Sequence, residues 1–390
     1  METYILGYTI LGLLVVFILF SILVKKRILF GNTALMQRIF ANPLLHYSIR
    51  RIGSALISLL LAILVTFFLL RAAQPADQTC VTKFAGPHVT PELFELQCTA
   101  WKEMMGFNGS LLEQLLHFVY SILPFPKTIC QTILDVNSMT YIVEDCRVFF
   151  IDFGKISDMS GVPDGTFVID YIAPRMITSF KIGIIAVVMQ LALGYPMGVL
   201  MAKHKDGIAD RVGLAYIISI DAIPGVAYYY IWMALLCGLF ALPNSYSPDN
   251  FISWLPIVFT MGFTGMAGIA MWVRRYMVDE FNSDYVKFAR AKGLSENRIM
   301  YTHVLRNAIV PLVRSIPAAV IGALLGTYYL ESIYQVDGIG SALILANNTK
   351  NAPLLQAIVI ISAILSIVSY LLGDIVTAMV DPRVSFTKGD

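Results

Sequence analysis

Seven stretches of this chain stay apolar over about the 20 residues that a helix needs to cross the hydrocarbon core of a bilayer. They lie near 3–24, 52–70, 176–201, 212–241, 254–273, 315–332 and 354–379. Inside lipid the backbone must satisfy its own hydrogen bonds, so such runs can only be helices unless a closed barrel forms, and none alternates as a barrel strand does. The fold class expected is an all-α polytopic membrane protein with about seven spans. The fourth run is unusually long, carries Pro224-Gly225 in its middle and is expected to be tilted, kinked or split into two shorter pieces. With 57% hydrophobic and 14% charged residues, and a mean hydropathy of +0.71, the chain is too apolar for an ordinary soluble domain.

The connecting segments set the orientation, because Lys and Arg are retained on the cytoplasmic side. Residues 25–51 hold Lys25, Lys26, Arg27, Arg38, Arg50 and Arg51 and no acid. Residues 76–170 hold five basic and twelve acidic side chains, a net of 5 − 12 = −7. Residues 203–211 and 274–314 are basic again, whereas 242–253 and 333–353 are nearly uncharged. The alternation predicts an N-terminus outside, a C-terminal tail inside and a large external segment at 76–170. In the first run the cluster Lys25-Lys26-Arg27 follows the apolar core instead of preceding it, which predicts a retained anchor rather than a cleaved signal.

Cysteine placement agrees with that sidedness. Cys80, Cys98, Cys130 and Cys146 fall in the external segment, and Cys237 falls in a span. An even set on an oxidising face predicts two disulfides, with three connectivities open. The segment also contains LLEQLLHFVYSILPF and CRVFFIDFGKI, enough apolar content for a small extracellular α+β domain in which cross-links compensate for a small core. No C-x2-C spacing occurs and His88 and His117 stand apart, so no metal site is expected. The organisation expected is an anchor helix and cytoplasmic linker over 1–51, with 31–48 along the inner interface, then a first core span at 52–75. The external domain occupies 76–173, and a five-helix core 174–390.

No phosphate-binding G-x-x-x-x-G-K-[ST], no H-E-x-x-H and no Ser/His/Asp constellation is present, so the chain is not expected to be an enzyme. Its most charged stretch between late apolar runs is DYVKFARAKGLSENRIMYTHVLRNAIVP, residues 284–311. The cluster Asn282-Ser283-Asp284 predicts a helix start, Gly293 a left-handed residue that ends it, and Ser295 the cap of a second helix through Leu305, before Pro311. The two helices at 282–306 are expected to lie parallel to the membrane. Tyr285 and Phe288 share a face by the i, i+3 rule, and Ala289 and Ala291 leave the first backbone approachable. Positive-inside charge alone explains the basic residues but not two capped helices with aromatic knobs, which suit the docking of a soluble partner.

This stretch resembles the cytoplasmic coupling motif of binding-protein-dependent ABC importer permeases, of general form E-A-A, three residues, G, nine residues, I-x-L-P. Ala289 and Gly293 match, Lys287 and Phe288 depart, and His303-Val304-Leu305-Arg306 stands at the end. The form ARAKGLS followed by HVLRNAIVP is similar to the variant of the oligopeptide, dipeptide and nickel importers. YSIRRIGSALISLLLAILVTFFLLR resembles that family's first span, and LESIYQVDGIGSALILANNTKNAPLLQAIVIISA with VDPRVSF its closing region. The extra first span and the cysteine-bearing segment depart from the shortest members.

The resemblance implies a type I ABC importer-like core in a bacterial plasma membrane. It implies a second, homologous permease subunit, two ATP-binding subunits that hold ATP and Mg, an extracellular peptide-binding lipoprotein and a peptide substrate, with no cofactor on this chain and no nucleic acid. Asp284, Tyr285, Phe288, Ala289, Arg290 and Gly293 would then form the ATPase-coupling site. Charged groups inside spans need a reason. Asp221 beside Pro224-Gly225 is the first candidate for the pathway, with Gln190, Tyr228 and Glu331 as further ones; pairing or packing explains each of them as well. Dipeptides, nickel or metal chelates fit the same architecture. A secondary transporter without ATPases would call for repeated halves and a midplane ion site, neither of which is visible. A sensor or assembly anchor would leave the paired helices unexplained.

Overall fold

The computed structural model describes residues 43–380, apart from 74–75, 87–88, 136–139, 157–158, 160 and 164. The run at 3–24 and most of the 31–48 linker lie outside the described residues. The described chain divides into two compact units, one of 43–171 with 346–364, the other of 172–345 with 365–380.

In the first unit, α1 (Pro43–Ala73) contains the apolar length Gly53–Ala73. It is followed by α2 (Ala76–Phe84), α3 (Pro91–Met104) and α4 (Leu111–Ile122). Thr90 caps α3, accepting from Leu93 N with Pro91 at the first position, where the missing N–H costs nothing. Ser110 and Glu113 form a reciprocal capping box on α4. A disulfide joins Cys80 of α2 to Cys98 of α3 over a small core of Trp101, Met105 and Phe107. The Arg71 guanidinium lies 3.8 Å from the Phe107 ring centroid and donates to Gly106 O at 2.6 Å. Strands β1 (Lys127–Asp135) and β2 (Thr140–Phe149) pair antiparallel, with Cys130 opposite Cys146 and disulfide-bonded to it. The expected pair of disulfides is present, and of the three connectivities it is the sequential one.

That core is small, so its cross-link carries weight. Replacing Cys80 by Ser is expected to cost the α2–α3 pair about 3 kcal/mol, the loop-closure value for a loop of this size. Faster proteolysis between 76 and 104, with the rest of the chain unchanged, is the readout. Unchanged cleavage would mean that the apolar core suffices.

In the second unit, α5 (Val168–Lys203), α6 (Ile208–Ala222), α7 (Gly225–Leu239) and α8 (Trp254–Phe281) are followed by α9 (Asp284–Ala291). Then come α10 (Glu296–Ala308), α11 (Val310–Gly322) and α12 (Tyr328–Ile333). The helices α13 (Ile339–Asn348) and α14 (Ala352–Val380) close the described chain and run across the division between units. Among the described residues, four helices are long and apolar enough to cross a membrane: Gly53–Ala73, Val168–Lys203, Phe251–Phe281 and Ala352–Thr377. Counting the bent pairs α6–α7 and α10–α11 as one each gives up to six among the described residues, against seven expected for the whole chain.

One expectation about the spans is met and another changes. The run at 212–241 is split, with α6 and α7 meeting at 115° across Ile223-Pro224, because Pro224 supplies no N–H to continue the ladder. The run at 315–332 is not one helix. It ends at Gly322, turns, passes Gly326 at φ +62° and restarts as the short α12.

Helices α5 and α8 interlock through glycines supplied by both. A Cβ on Gly198 would stand 2.6 Å from Val273 Cβ, one on Gly194 2.9 Å from Ile269 Cβ, and one on Gly262 of α8 2.6 Å from Met189 Sδ. Backbones approach this closely only where small residues sit at the crossing. Below this contact Arg274 of α8 makes a forked pair with Asp210 of α6, Nε to Oδ1 at 2.5 Å and Nη2 to Oδ2 at 2.7 Å. Asp210 Oδ2 also accepts from Asp206 N at 2.9 Å, which ties down the connection between α5 and α6.

Candidate partner-docking site

The stretch 282–306 folds as a helix, a glycine corner and a second helix. Ser283 stands at the N-cap position of α9 with extended φ and ψ, but its hydroxyl makes no cap bond to the helix, and neither does that of Ser295 at the start of α10. Asp284 opens α9 and Arg290 lies in its last turn, the order that the helix dipole favours. Lys287 Nζ donates to Asp284 Oδ1 at 2.8 Å and holds that carboxyl below its ordinary pKa.

The corner is a complete Schellman closure. Gly293 takes φ +75°, its N–H donates to Arg290 O at 2.9 Å, and Leu294 N donates to Ala289 O at 3.3 Å. Across it Arg290 grips Glu296 with two bonds, Nε to Oε1 at 2.7 Å and Nη2 to Oε2 at 3.1 Å. Residues 299–304 of α10 have π-helical hydrogen bonding. After Ile309 the chain bends by 42° into α11, whose second residue is Pro311. The second helix thus ends at Ala308, before Pro311 as expected, and an apolar helix follows the bend.

One face of this element is a core. Val286 and Ala289 of α9 pack with Ile299, Met300, Val304 and Ala308 of α10, with Val273 and Met277 of α8 and with Ala202 of α5. Ala289 is thus a packing residue rather than an approachable patch of backbone, because the i, i+3 pair Val286 and Ala289 defines the inward face. The pairing of Tyr285 with Phe288 as outward knobs also changes. Tyr285 is half-buried against the core and donates its hydroxyl to Glu280 Oε2 at 2.6 Å, whereas Phe288 is 69% exposed. Beside the corner opens a cavity of about 360 Å³, bordered by Lys203 at the end of α5, by His204 and Lys205 after it, by Phe281 and Asn282, and by the paired Arg290 and Glu296. The element thus combines a rigid base, one protruding aromatic ring and a basic hollow.

Residues 194–386, which include this element, match the family described as binding-protein-dependent transport system inner membrane component. The chain belongs to that family. The oligopeptide transport system permease protein AmiC of Streptococcus pneumoniae serotype 4 is 39% identical over 224 residues, 56% of this chain and 45% of its own length. This chain therefore spans about half the length of AmiC. The dipeptide transport system permease protein DppB of Lactococcus lactis subsp. cremoris is 29% identical over 342 residues, 87% of this chain and 99% of its own. A chain of an inward-facing MetNI methionine ABC transporter aligns over 55% of this chain and 97% of its own, at 16% identity and a TM-score of 0.43.

The other candidates of this family member are dispersed in the second unit. Asp221 is exposed at the end of α6, beside the break before α7. Gln190 of α5 donates to Met261 O of α8 at 3.1 Å, so its amide serves the interlocked pair. Tyr228 is buried on α7 beside Trp232. Glu331 is 3% exposed, and its carboxylate accepts from Thr327 N at 3.2 Å, Gly340 N at 2.8 Å and Ser341 N at 3.4 Å. It is enclosed by its own loop. Among the described residues no group of His, Cys, Asp and Glu could hold a metal ion. Sequence reasoning missed the Asp210–Arg274 pair: Asp210 stands just before one apolar run and Arg274 just after the next, but Asp206 and Arg275 beside them leave the pairing open.

Proposed function

We propose that this chain is one of two different membrane subunits of an ATP-driven importer that moves oligopeptides into the cell, and that α9 seats in a cleft of an ATP-binding partner. The observation that carries this reading is the corner itself, a short helix with a packed inner face, an exposed Phe288 and a glycine closure that leads rigidly into α10. ATP and Mg belong to the two ATPase subunits. Their closure pushes on α9, and the corner and α10 carry the push to the 42° bend and into α11. Asp284, Lys287 and Arg290 give charge contacts around Phe288, while Tyr285, Ala289 and Gly293 hold the shape.

In this reading 1–51 is an anchor and linker, 52–75 the first core span, and 76–173 an extracellular domain that helps to receive an external peptide-binding lipoprotein. The span count is about seven once the run at 3–24 is included. Residues 174–390 form the translocation core, the N-terminus is outside and the C-terminus is cytoplasmic. Asp221, exposed at a helix break, remains the candidate for the pathway; Gln190, Tyr228 and Glu331 support its walls. Peptide cargo is favoured by the names of AmiC and DppB. Dipeptides are the second reading, because the alignment with DppB runs nearly the full length of that protein.

The test is affinity isolation of the chain from mildly solubilised membranes, with mass spectrometry of what remains bound. A second permease and two ATPase subunits are expected, and an accompanying binding protein would identify the cargo. Repeated isolation of the chain alone would overturn the reading in favour of a transporter that needs no ATPase.

A further inference from the structure

Helix α4 has two apolar faces, and the rest of its unit covers one of them. Phe118 stacks on Phe67 of α1 with centroids 5.5 Å apart, and one turn later Ile122 packs with Ile63 of α1 and Ile360 of α14. Advancing from 118 to 122 on α4 means retreating from 67 to 63 on α1, so the two helices run antiparallel, side by side. At the helical rise, Ile63 lies about 15 Å back from the Ala73 end of α1, and Ile360 about 12 Å in from the start of α14. The covered face of α4 therefore reaches well inside the apolar length of two helices that can cross a membrane.

The opposite face presents Leu112, Leu116 and Tyr120 at i, i+4 and i+8, exposed by 64%, 61% and 55%, and Leu123 and Phe125 extend it. Helix α1 exposes apolar side chains as well, among them Leu56, Leu60 and Leu69. Protein groups close part of both ends of α4. The capping box serves the first turn, and the buried Lys127 ammonium donates to Ser121 O at 2.9 Å and, just beyond the helix, to Leu123 O at 2.6 Å and Phe150 O at 3.3 Å. Some of the end groups that are orphaned in an open helix are thus satisfied without water, which favours contact with lipid.

We infer that α4 is a half-length membrane helix whose Leu112, Leu116 and Tyr120 face lies against the acyl chains of one leaflet. Its length of about 18 Å spans roughly half of a bilayer core. The leaflet is the outer one if the orientation proposed above holds; the contact with lipid does not depend on that orientation. The segment between α1 and α5 is then not wholly a water-borne domain, since its middle helix is held in the membrane.

The experiment is spin-label accessibility on the full chain in phosphatidylglycerol and phosphatidylcholine nanodiscs. The background is Cys237→Ser, and single labels are placed at Leu112→Cys, Leu116→Cys and Tyr120→Cys, with Asn108→Cys in the preceding exposed loop as the aqueous reference. Collisions with oxygen should exceed those with a water-soluble nickel chelate at all three helix positions, increasingly from 112 to 120, with the order inverted at 108. Chelate collisions dominating at 116 would show an aqueous surface and overturn the inference. Low collision rates with both reagents would also overturn it, by showing a protein partner on that face. No ATPase is needed, so the outcome is independent of the importer reading.

Discussion

Phe288→Asp should abolish recovery of the ATPase subunits with the chain and abolish uptake, while membrane insertion and yield stay unchanged. Phe288 is the one large apolar side chain of α9 that turns fully away from the core, and its neighbours Asp284, Lys287 and Arg290 are exposed with it. An aromatic anchor at the centre of an interface is worth about 2 kcal/mol or more, roughly a 30-fold change in affinity. A carboxylate placed in the same desolvated cleft adds an unpaired charge to that loss. Ala289→Asp should fail differently. Ala289 faces Val286 and the α10 core, so an acid there opens the corner, and the expected readout is new proteolysis between 284 and 306 together with reduced yield. Undiminished ATPase recovery with Phe288→Asp would remove α9 from the interface.

The second large effect concerns Glu331. Its carboxylate is the common acceptor for three backbone N–H groups that lie on both sides of the turn at 334–338, and Ser179 of α5 hydrogen-bonds to it while accepting from Ile339 N at 2.9 Å. Gly326 and Gly338 leave room for it, since a Cβ on either would come within 1.9 and 2.3 Å of its oxygens. Glu331→Ala strands those donors, each at about 1–3 kcal/mol when buried. The loop 323–341 should therefore become the first site of cleavage, and the melting temperature of the solubilised chain should fall by several degrees. Glu331→Gln keeps the size but turns an NH2 toward donors, so it should recover only part of the loss. If Glu331→Ala melted like the parent chain while uptake failed, the residue would belong to the pathway after all.

These two sites show what the sequence could convey. The long apolar helices were legible because lipid imposes one simple rule on them, and the corner at Gly293 was legible because a left-handed residue after a helix favours glycine. The direction in which Tyr285 and Ala289 face was not, since an i, i+3 spacing says which residues share a face but not which face meets the core. The fragmentation of 315–332 was hidden for a similar reason. Mean apolarity reports burial, whereas the break there depends on Glu331 drawing in backbone groups from residues 327–341. Among the site residues, Asp210 and Arg274 could be matched only in three dimensions, being 64 positions apart.

The glycine-lined contact between α5 and α8 limits how this unit can move. Gly194 and Gly198 sit under side chains of α8 while Gly262 sits under Met189 of α5, so a shift along the axis would drive Cβ and sulfur atoms into backbone. Sliding of one helix on the other is thus sterically closed, and the Asp210–Arg274 fork pins α6 to the same block. The helical ladder is interrupted instead at Ile223-Pro224, bent by 115°, and at Ile309, bent by 42°. The unit is built like a door rather than a drawer. If transport turns on these two breaks, a mutation that stiffens either one should slow it without weakening any contact to a partner.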